Sequence, residues 1–162
     1  MASLVIEQDT FDRLLPRACE WARELEQFIL VRGTPLDARY IADAERVGVQ
    51  DSSRVRVLVV DRISLPDDEE LAAAAQSTQI ITGASRAVTL GHGIIIRADA
   101  WGDRELVLHQ LVHVAQCERN GGLDAFVRCY LSDRHLSEEF SVGSFEEEAR
   151  RTAREICSAG GA

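Results

Sequence analysis

The sequence predicts an α+β fold, mostly helical with a short β-sheet, in a single domain that spans residues 1–162. Apolar residues at helical spacing dominate both ends of the chain, and the β-branched segments lie between them. Apolar residues make up 46% and charged residues 28% of the chain, which is typical of globular proteins and argues against disorder. A chain of this length buries about 70% of its unfolded surface, so it needs no disulfides to fold.

The first half of the chain is predicted to contain three helices and one strand. Two kinds of signal indicate the helices. One is apolar residues at the spacing of one helix face, and the other is proline followed by acidic residues at a helix start. A run of β-branched residues indicates the strand. The predicted helices cover about residues 9–31, 37–47 and 66–75, and the predicted strand covers residues 55–60.

The second half is predicted to contain a short β segment followed by three helices. Residues 86–96 are β-branched on both sides of Gly91-His92-Gly93, and they form either a hairpin or one strand that is kinked at the glycines. Glycines that can take a left-handed backbone follow the first helix, and Ser144 with Glu147 forms a capping box at the start of the last. The predicted helices cover residues 102–118, 123 to about 131, and 144–157.

Charge and residue usage exclude several function classes. The chain has 27 acidic against 18 basic residues, and its net charge of −9 argues against nucleic acid or an anionic membrane as the partner. It contains no lysine, which excludes a Walker-type phosphate loop and Schiff-base chemistry. The acidic start does not resemble a signal peptide, no apolar run is long enough to span a bilayer, and the four cysteines form no CxxC pair. We therefore expect a cytoplasmic protein with reduced thiols.

The predicted helix over residues 102–118 carries the residues with the clearest chemical potential. Apolar side chains cover one broad face. An ordinary solvated stripe would be filled with Glu and Arg, but the opposite stripe here concentrates two of the four histidines and holds Glu105, His109, Gln110, His113, Gln116 and Cys117. His109 and His113 lie in that stripe four residues apart, so both imidazoles leave the same face and can bind one metal ion. On spacing alone, the two histidines can equally serve as hydrogen-bonding groups or face water.

The segment HQLVHVAQ, residues 109–116, resembles the HExxH helix of zincin-type zinc metallopeptidases. The likeness is closest to small bacterial proteins in which an HELVHVxQ-like helix is followed by an acidic Glu-x-Glu-Ala helix, which corresponds here to residues 144–150. It covers about residues 86–157. The resemblance implies a small zincin-like domain of the hydrolase class, with a short β-sheet beside the HExxH-type helix and Zn²⁺ as cofactor.

A zinc ion held by two histidines in such a site takes a third protein ligand and leaves one position for water. In zincins whose third ligand is Glu, that residue commonly lies three positions before an alanine, and Ala149 then indicates Glu146. Helical geometry gives the same ranking, because Glu146 flanks the face that is predicted to be buried. Glu148 lies further round the helix and is the second choice, whereas Glu147 points nearly opposite.

Three other residues are weaker alternatives for the third ligand. His92 and His135 lie near a turn and a helix end, where single histidines are more often at the surface. Cys117 continues the four-residue spacing, but three ligands spread over two turns point increasingly apart. We therefore expect Cys117 to be packed in the core.

One position departs from the family pattern. The residue after the first histidine is Glu in the family, where it is the general base that takes a proton from zinc-bound water, and here it is Gln110. A carboxamide can hold a water by hydrogen bonding, but it is not a base near neutral pH. Zinc binding does not depend on this residue, since it is not a ligand. The resemblance therefore implies a metallopeptidase-like scaffold with impaired catalysis.

The residues support three functional hypotheses. The first is a zinc-binding, zincin-like domain with weak or lost peptidase activity. The resemblance implies that it holds a peptide or protein segment along an edge strand formed by Ile94, Ile95 and Ile96. The second is an active metallopeptidase that uses Glu148 or zinc-held hydroxide as the base. The third is a structural or interaction domain without metal, in which the histidines are buried polar groups.

Overall fold

The computed structural model describes residues 6–136 and 143–159, and it confirms the predicted α+β class. In these ranges the helices are α1 (Gln8–Arg32), α2 (Ala38–Arg46), α3 (Glu69–Ser77), α4 (Arg104–Arg119), α5 (Leu123–Leu136) and α6 (Ser144–Ala159). The strands are β1 (Thr34–Pro35), β2 (Arg56–Val60), β3 (Ala87–Leu90) and β4 (Gly93–Arg97). None of these helices has both the length and the apolar character needed to cross a membrane.

Most predicted elements form, and the differences lie at their ends. α5 continues five residues past its predicted end near residue 131. The helix predicted from residue 66 begins at Glu69, because Asp68 is extended and its side chain accepts a hydrogen bond from the Leu71 N–H. The two-residue strand β1 was not predicted, and it exists only because β2 pairs with it.

The four strands form one mixed sheet in the order β1-β2-β4-β3. β2 and β4 are parallel, whereas β1 pairs antiparallel with β2 and β3 pairs antiparallel with β4. β3 and β4 are joined by the two-residue turn Gly91-His92, so residues 86–96 form the hairpin and not a single kinked strand. Gly91 has φ 65°, a conformation that glycine adopts readily at the first position of such turns.

The prediction that Ile94, Ile95 and Ile96 form an edge strand is wrong. They belong to β4, which lies between β2 and β3 and is paired on both sides. All three are buried, since Ile94 and Ile96 pack in the core with α4 and Ile95 packs on the opposite face with α1. A run of isoleucines without alternation is typical of an interior strand that is covered on both faces. Within the described residues, β3 is the edge strand on this side of the sheet.

α4 lies in the centre of the structure and is buried on nearly all sides. From Val107 to Cys117 every residue except His109 is buried. Its apolar residues pack on the sheet, and α6 covers the face that carries the histidines. The polar stripe that the sequence indicates is therefore an internal surface.

The predicted capping box at the start of α6 is wrong. Ser144 is the first residue of the helix, and the carbonyl of Gly143 accepts the first helical hydrogen bond from the Glu147 N–H at 3.1 Å. The N–H and the hydroxyl of Ser144 both donate to Oδ2 of Asp133 in α5, at 2.7 and 3.1 Å. A side chain from another helix thus replaces the local cap.

The close contact between the end of α1 and β2 gives a test of the fold. A Cβ atom on Gly33 would lie 2.7 Å from the Ile29 carbonyl oxygen and 3.0 Å from the Val57 carbonyl oxygen. The φ of −75° suits any residue, so the cost of a side chain here is steric. Because both neighbours are backbone atoms, we expect Gly33→Ala to lower the free energy of unfolding by about 1–3 kcal/mol in urea titrations.

Gly102→Ala is the matched control for this substitution. No heavy atom lies within 4 Å of a Cβ at Gly102, so the same change should leave the free energy of unfolding nearly unchanged. Equal losses at the two positions would contradict the packing of α1 against β2.

Candidate metal centre

Two histidines of α4 and one glutamate of α6 meet between these helices. His109 Nε2 lies 3.0 Å from Glu146 Oε2, and His113 Nε2 lies 2.9 Å from Glu146 Oε1. The two imidazole rings are 4.9 Å apart between centroids and nearly perpendicular. One ligand atom from each of the three residues lies within 4.8 Å of the others, so the cluster can hold a metal ion.

The packing of α6 against α4 places Glu146 at this cluster. Ala149 and Ala153 are the buried residues of α6, and their small side chains allow the helix to approach α4 closely. Glu146 lies one turn before Ala149, at the edge of the same face, so its carboxylate reaches the two histidines.

Gln116 fixes the orientation of the His113 ring. Its side-chain Oε1 lies 2.8 Å from His113 Nδ1, and its Nε2 donates to the carbonyl oxygen of Phe145 at 3.0 Å. Since a carbonyl oxygen only accepts, the amide of Gln116 must present its own oxygen to His113. The Nδ1 atom therefore carries the proton, and Nε2 is the atom that faces Glu146.

Glu146 is ionised and strongly hydrogen-bonded. Burial by itself would raise the pKa of Glu146, but the hydrogen bonds with His109 and His113 outweigh it and hold that pKa well below its usual range. Tyr130 of α5 donates its hydroxyl to Glu146 Oε1 at 2.7 Å. Burial and the nearby carboxylate raise the pKa of Tyr130 well above its ordinary value, so the hydroxyl keeps its proton.

One side of the cluster is closed by aromatic rings and the other side is open. His113 packs against Phe126 and Tyr130, at 6.3 and 6.0 Å between ring centroids, and its side chain is 7% exposed. His109 and Glu146 are 19% and 20% exposed. Solvent or a small ligand can therefore approach from the side of His109 and Glu146.

The acidic residues that follow Glu146 do not reach the histidines. Glu148 Oε1 accepts a hydrogen bond from Arg119 at 2.7 Å, at the outer side of α4. Glu147 is exposed to solvent. Of the three consecutive glutamates, only Glu146 is part of the cluster.

The alternative ligands lie elsewhere in the structure. His92 contacts Glu118 at 3.1 Å near the β3–β4 turn, and His135 stacks on Phe11 at 4.3 Å between ring centroids. Cys117 is buried, and burial raises the pKa of its thiol to about 12. A protonated thiol in the core has the packing role that the sequence predicts for Cys117.

The side chain of Gln110 contacts the edge strand β3 of the sheet. The hydroxyl of Thr89 in β3 lies 2.9 Å from Gln110 Oε1 and 3.2 Å from the Gln110 backbone oxygen. The Gln110 side chain is buried. The hydroxyl can donate to an amide oxygen or to a carboxylate oxygen, so the position accepts either side chain.

Two residues of the centre were not identified from the sequence. The sequence puts Gln116 in the polar stripe but does not indicate its contacts with His113 and Phe145. A glutamine within an apolar helix is itself an indication of a buried hydrogen bond. Tyr130 has no recognisable signal, because its contact with Glu146 depends on how α5 packs.

Comparison of the chain with protein-family models, with curated proteins and with solved structures finds no match.

The role of Gln116 can be tested in the metal-free protein. Gln116→Leu keeps the volume of this fully buried position but leaves His113 Nδ1–H and the Phe145 carbonyl without their partner. A buried group that loses its hydrogen bond costs about 1–3 kcal/mol. We therefore expect the free energy of unfolding, measured with chelator present, to fall by about 2–4 kcal/mol. The control Gln27→Leu, at an exposed position of α1, should change it little; a similar change in both would refute the role of Gln116.

Proposed function

We propose that the chain binds one zinc ion through His109, His113 and Glu146, in a zincin-like site whose peptidase activity is weak or lost. The observation that carries this proposal is the convergence of these three side chains from two helices, with Nε2 of both rings directed at the carboxylate.

The hydrogen bonds around His113 support a cation at this point. Both of its ring nitrogens face acceptors, Gln116 Oε1 at Nδ1 and Glu146 Oε1 at Nε2. A neutral imidazole can donate through only one nitrogen. A divalent cation at Nε2 matches the lone pair of a neutral ring and the charge of the carboxylate at once. The contact at Nδ1 is the kind of outer hydrogen bond that metal-binding histidines make.

The donor set favours zinc over other common cations. Two imidazole nitrogens and one carboxylate oxygen form a usual set in catalytic zinc sites, which keep the remaining position for water. Magnesium and calcium prefer sites made of oxygen ligands. A bound zinc ion supplies Lewis acidity to a water or carbonyl oxygen. The exposure of His109 and Glu146 is consistent with access to such a position.

Impaired catalysis is supported by the residue type at position 110 and by the pairing of Glu148. Gln110 occupies the position of the general base and has no carboxylate to take a proton. Glu148, the alternative base, is held by Arg119. A peptide or protein segment that reached the site would then be bound rather than efficiently cut. The edge strand β3, which contacts Gln110 through Thr89, is the strand that could pair with it.

We place this function in the cytoplasm. All four cysteines are free in the structure, and none is positioned as a disulfide partner of another. Free thiols are typical of a reducing compartment.

Zinc binding is tested by comparing two glutamates of α6. Wild-type protein purified without chelator should contain about one zinc ion per chain by mass spectrometry. Glu146→Gln should weaken zinc affinity by about 100-fold or more, because a neutral amide is a poorer ligand than a carboxylate. Glu148→Gln removes one surface ion pair and should change the affinity less than about threefold.

A competition titration with a chelating dye measures both affinities. Zinc content near zero in the wild type would refute the proposal. It would instead favour a metal-free structural domain, in which His113→Ala changes stability by an amount that added zinc does not alter. A larger loss of zinc affinity in Glu148→Gln than in Glu146→Gln would show that Glu146 is not the third ligand.

The catalytic part is tested by Gln110→Glu. The new carboxylate can accept the same hydrogen bond from Thr89 and restores a general base, which typically contributes about 10²–10⁴-fold in rate. We expect peptide cleavage to rise by about this factor with zinc content unchanged. The control Gln110→Asn should stay as inactive as the wild type. Equal activity of wild type and Gln110→Glu would show that the protein uses another base.

A further inference from the structure

The outer edge of β2 is only partly covered. The Arg56 N–H donates to the His92 carbonyl at 2.9 Å, toward β4, and in a parallel ladder neighbouring residues direct their backbone groups to opposite sides. Val57 and Val59 therefore direct their N–H and C=O groups away from β4. β1 begins at Thr34, which pairs with Val57, and the chain before it leads back into α1, so within residues 6–136 and 143–159 no strand pairs with Val59.

A groove of about 630 Å³ lies between α1 and this part of β2. Its floor is apolar and comes from the sheet, one wall is apolar and comes from α1, and the other wall comes from residues 62–71. The floor contains Leu58, Val60 and Ile95, and the α1 wall contains Trp21, Leu25 and Phe28. Phe28 is 47% exposed, and the guanidinium of Arg32 lies over its ring at 4.8 Å from the centroid. The groove therefore offers uncovered apolar surface at Leu58 and Val60, the two neighbours of Val59, whose backbone no strand pairs with.

The rim of the groove is acidic. Glu20, Glu24 and Asp67 lie on it, and Arg62 is the opposing cation. Arg17 and Asp68 also line the groove, but they pair with each other and their charges cancel. Three carboxylates against one guanidinium give the rim an excess of negative charge, which attracts a cationic ligand.

We propose that the groove between α1 and β2 binds an extended, basic peptide segment that adds to β2 at Val59. A strand that adds to a sheet edge forms hydrogen bonds with the backbone N–H and C=O groups of that edge, here those of Val59. The side chains of the added strand supply specificity. An apolar side chain of the peptide fills the space between Leu25, Phe28 and Leu58. The lysine or arginine residues two positions before and after it point to the same face, toward Glu24 and Asp67 on the rim.

A second copy of this chain fits the groove less well than such a peptide. Two copies would bring two acidic rims together, and the chain as a whole carries a net charge of −9. Juxtaposed like charges oppose association.

This surface is separate from the candidate metal centre. α1 covers the sheet face that carries Leu58 and Ile95, whereas α4 packs on the opposite face with Ile94 and Ile96. The proposal therefore does not depend on zinc, and its test can be carried out with chelator present.

The probe is a fluorescein-labelled, capped heptapeptide with leucine at position 4, lysine at positions 2 and 6 and threonine elsewhere, compared with the same peptide carrying glutamate in place of lysine. We expect the lysine peptide to bind in anisotropy titrations and the glutamate peptide not to bind. In ¹⁵N-resolved NMR spectra of the protein, the lysine peptide should shift the Val59 amide and the Trp21 indole N–H. Affinity should fall as salt is added.

Two pairs of variants separate the groove from the rest of the surface. Phe28→Ala should weaken binding of the lysine peptide about tenfold. Val31→Ala, on the same helix but outside the groove and 81% exposed, should not weaken it. Glu24→Arg should weaken binding about fivefold, whereas Glu45→Arg makes the same charge change on an exposed face of α2 and should have little effect.

Three results would overturn the proposal. One is no binding of the lysine peptide at millimolar concentration, and another is equal losses in the groove variants and their controls. The third is a concentration-dependent dimer in sedimentation experiments that Phe28→Ala abolishes, which would make a second copy of the chain the occupant.

Discussion

The candidate metal centre depends on one buried amide, that of Gln116. It lies inside α4, fully shielded from solvent, and hydrogen-bonds the ring of His113 on one side and the backbone of Phe145 on the other. The same group therefore orients one histidine and anchors the start of α6, one residue before Glu146. Because both contacts are made in a low-dielectric interior, neither can be exchanged for water without a cost.

The same region concentrates polar groups that are costly to bury. Glu146 is ionised in a largely closed site and is retained by His109, His113 and the Tyr130 hydroxyl. Removing any one partner leaves a buried charge or polar group without its hydrogen bond. Such a network therefore adds little to the stability of the fold. The three residues can hold a metal ion, and the partial exposure of His109 and Glu146 leaves that position accessible to a small ligand.

The sheet separates this chemistry from a second surface. α4 with its histidines occupies one face, and α1 with the acidic groove occupies the other. β4 lies between β2 and β3 and supplies apolar side chains to both faces. The candidate metal centre and the groove therefore lie on opposite faces of the sheet.

The sequence by itself determined the features that local geometry controls. The α+β class and the presence of the main helices follow from hydrophobic periodicity, and the common face of His109 and His113 follows from their spacing of four residues. The position of Glu146 beside the buried face of α6 follows from the same periodicity. Each of these features depends on residues within a few turns of one another.

Only the tertiary structure decided which partners those elements meet. Ile94–Ile96 became an interior strand because β2, distant in sequence, pairs with it, and Ser144 is capped by Asp133 of another helix. Glu148 is held by Arg119, a contact no spacing rule anticipates. Periodicity reports which face of an element is apolar, but a contact between distant elements depends on how the whole chain packs, and that information is not local to any segment.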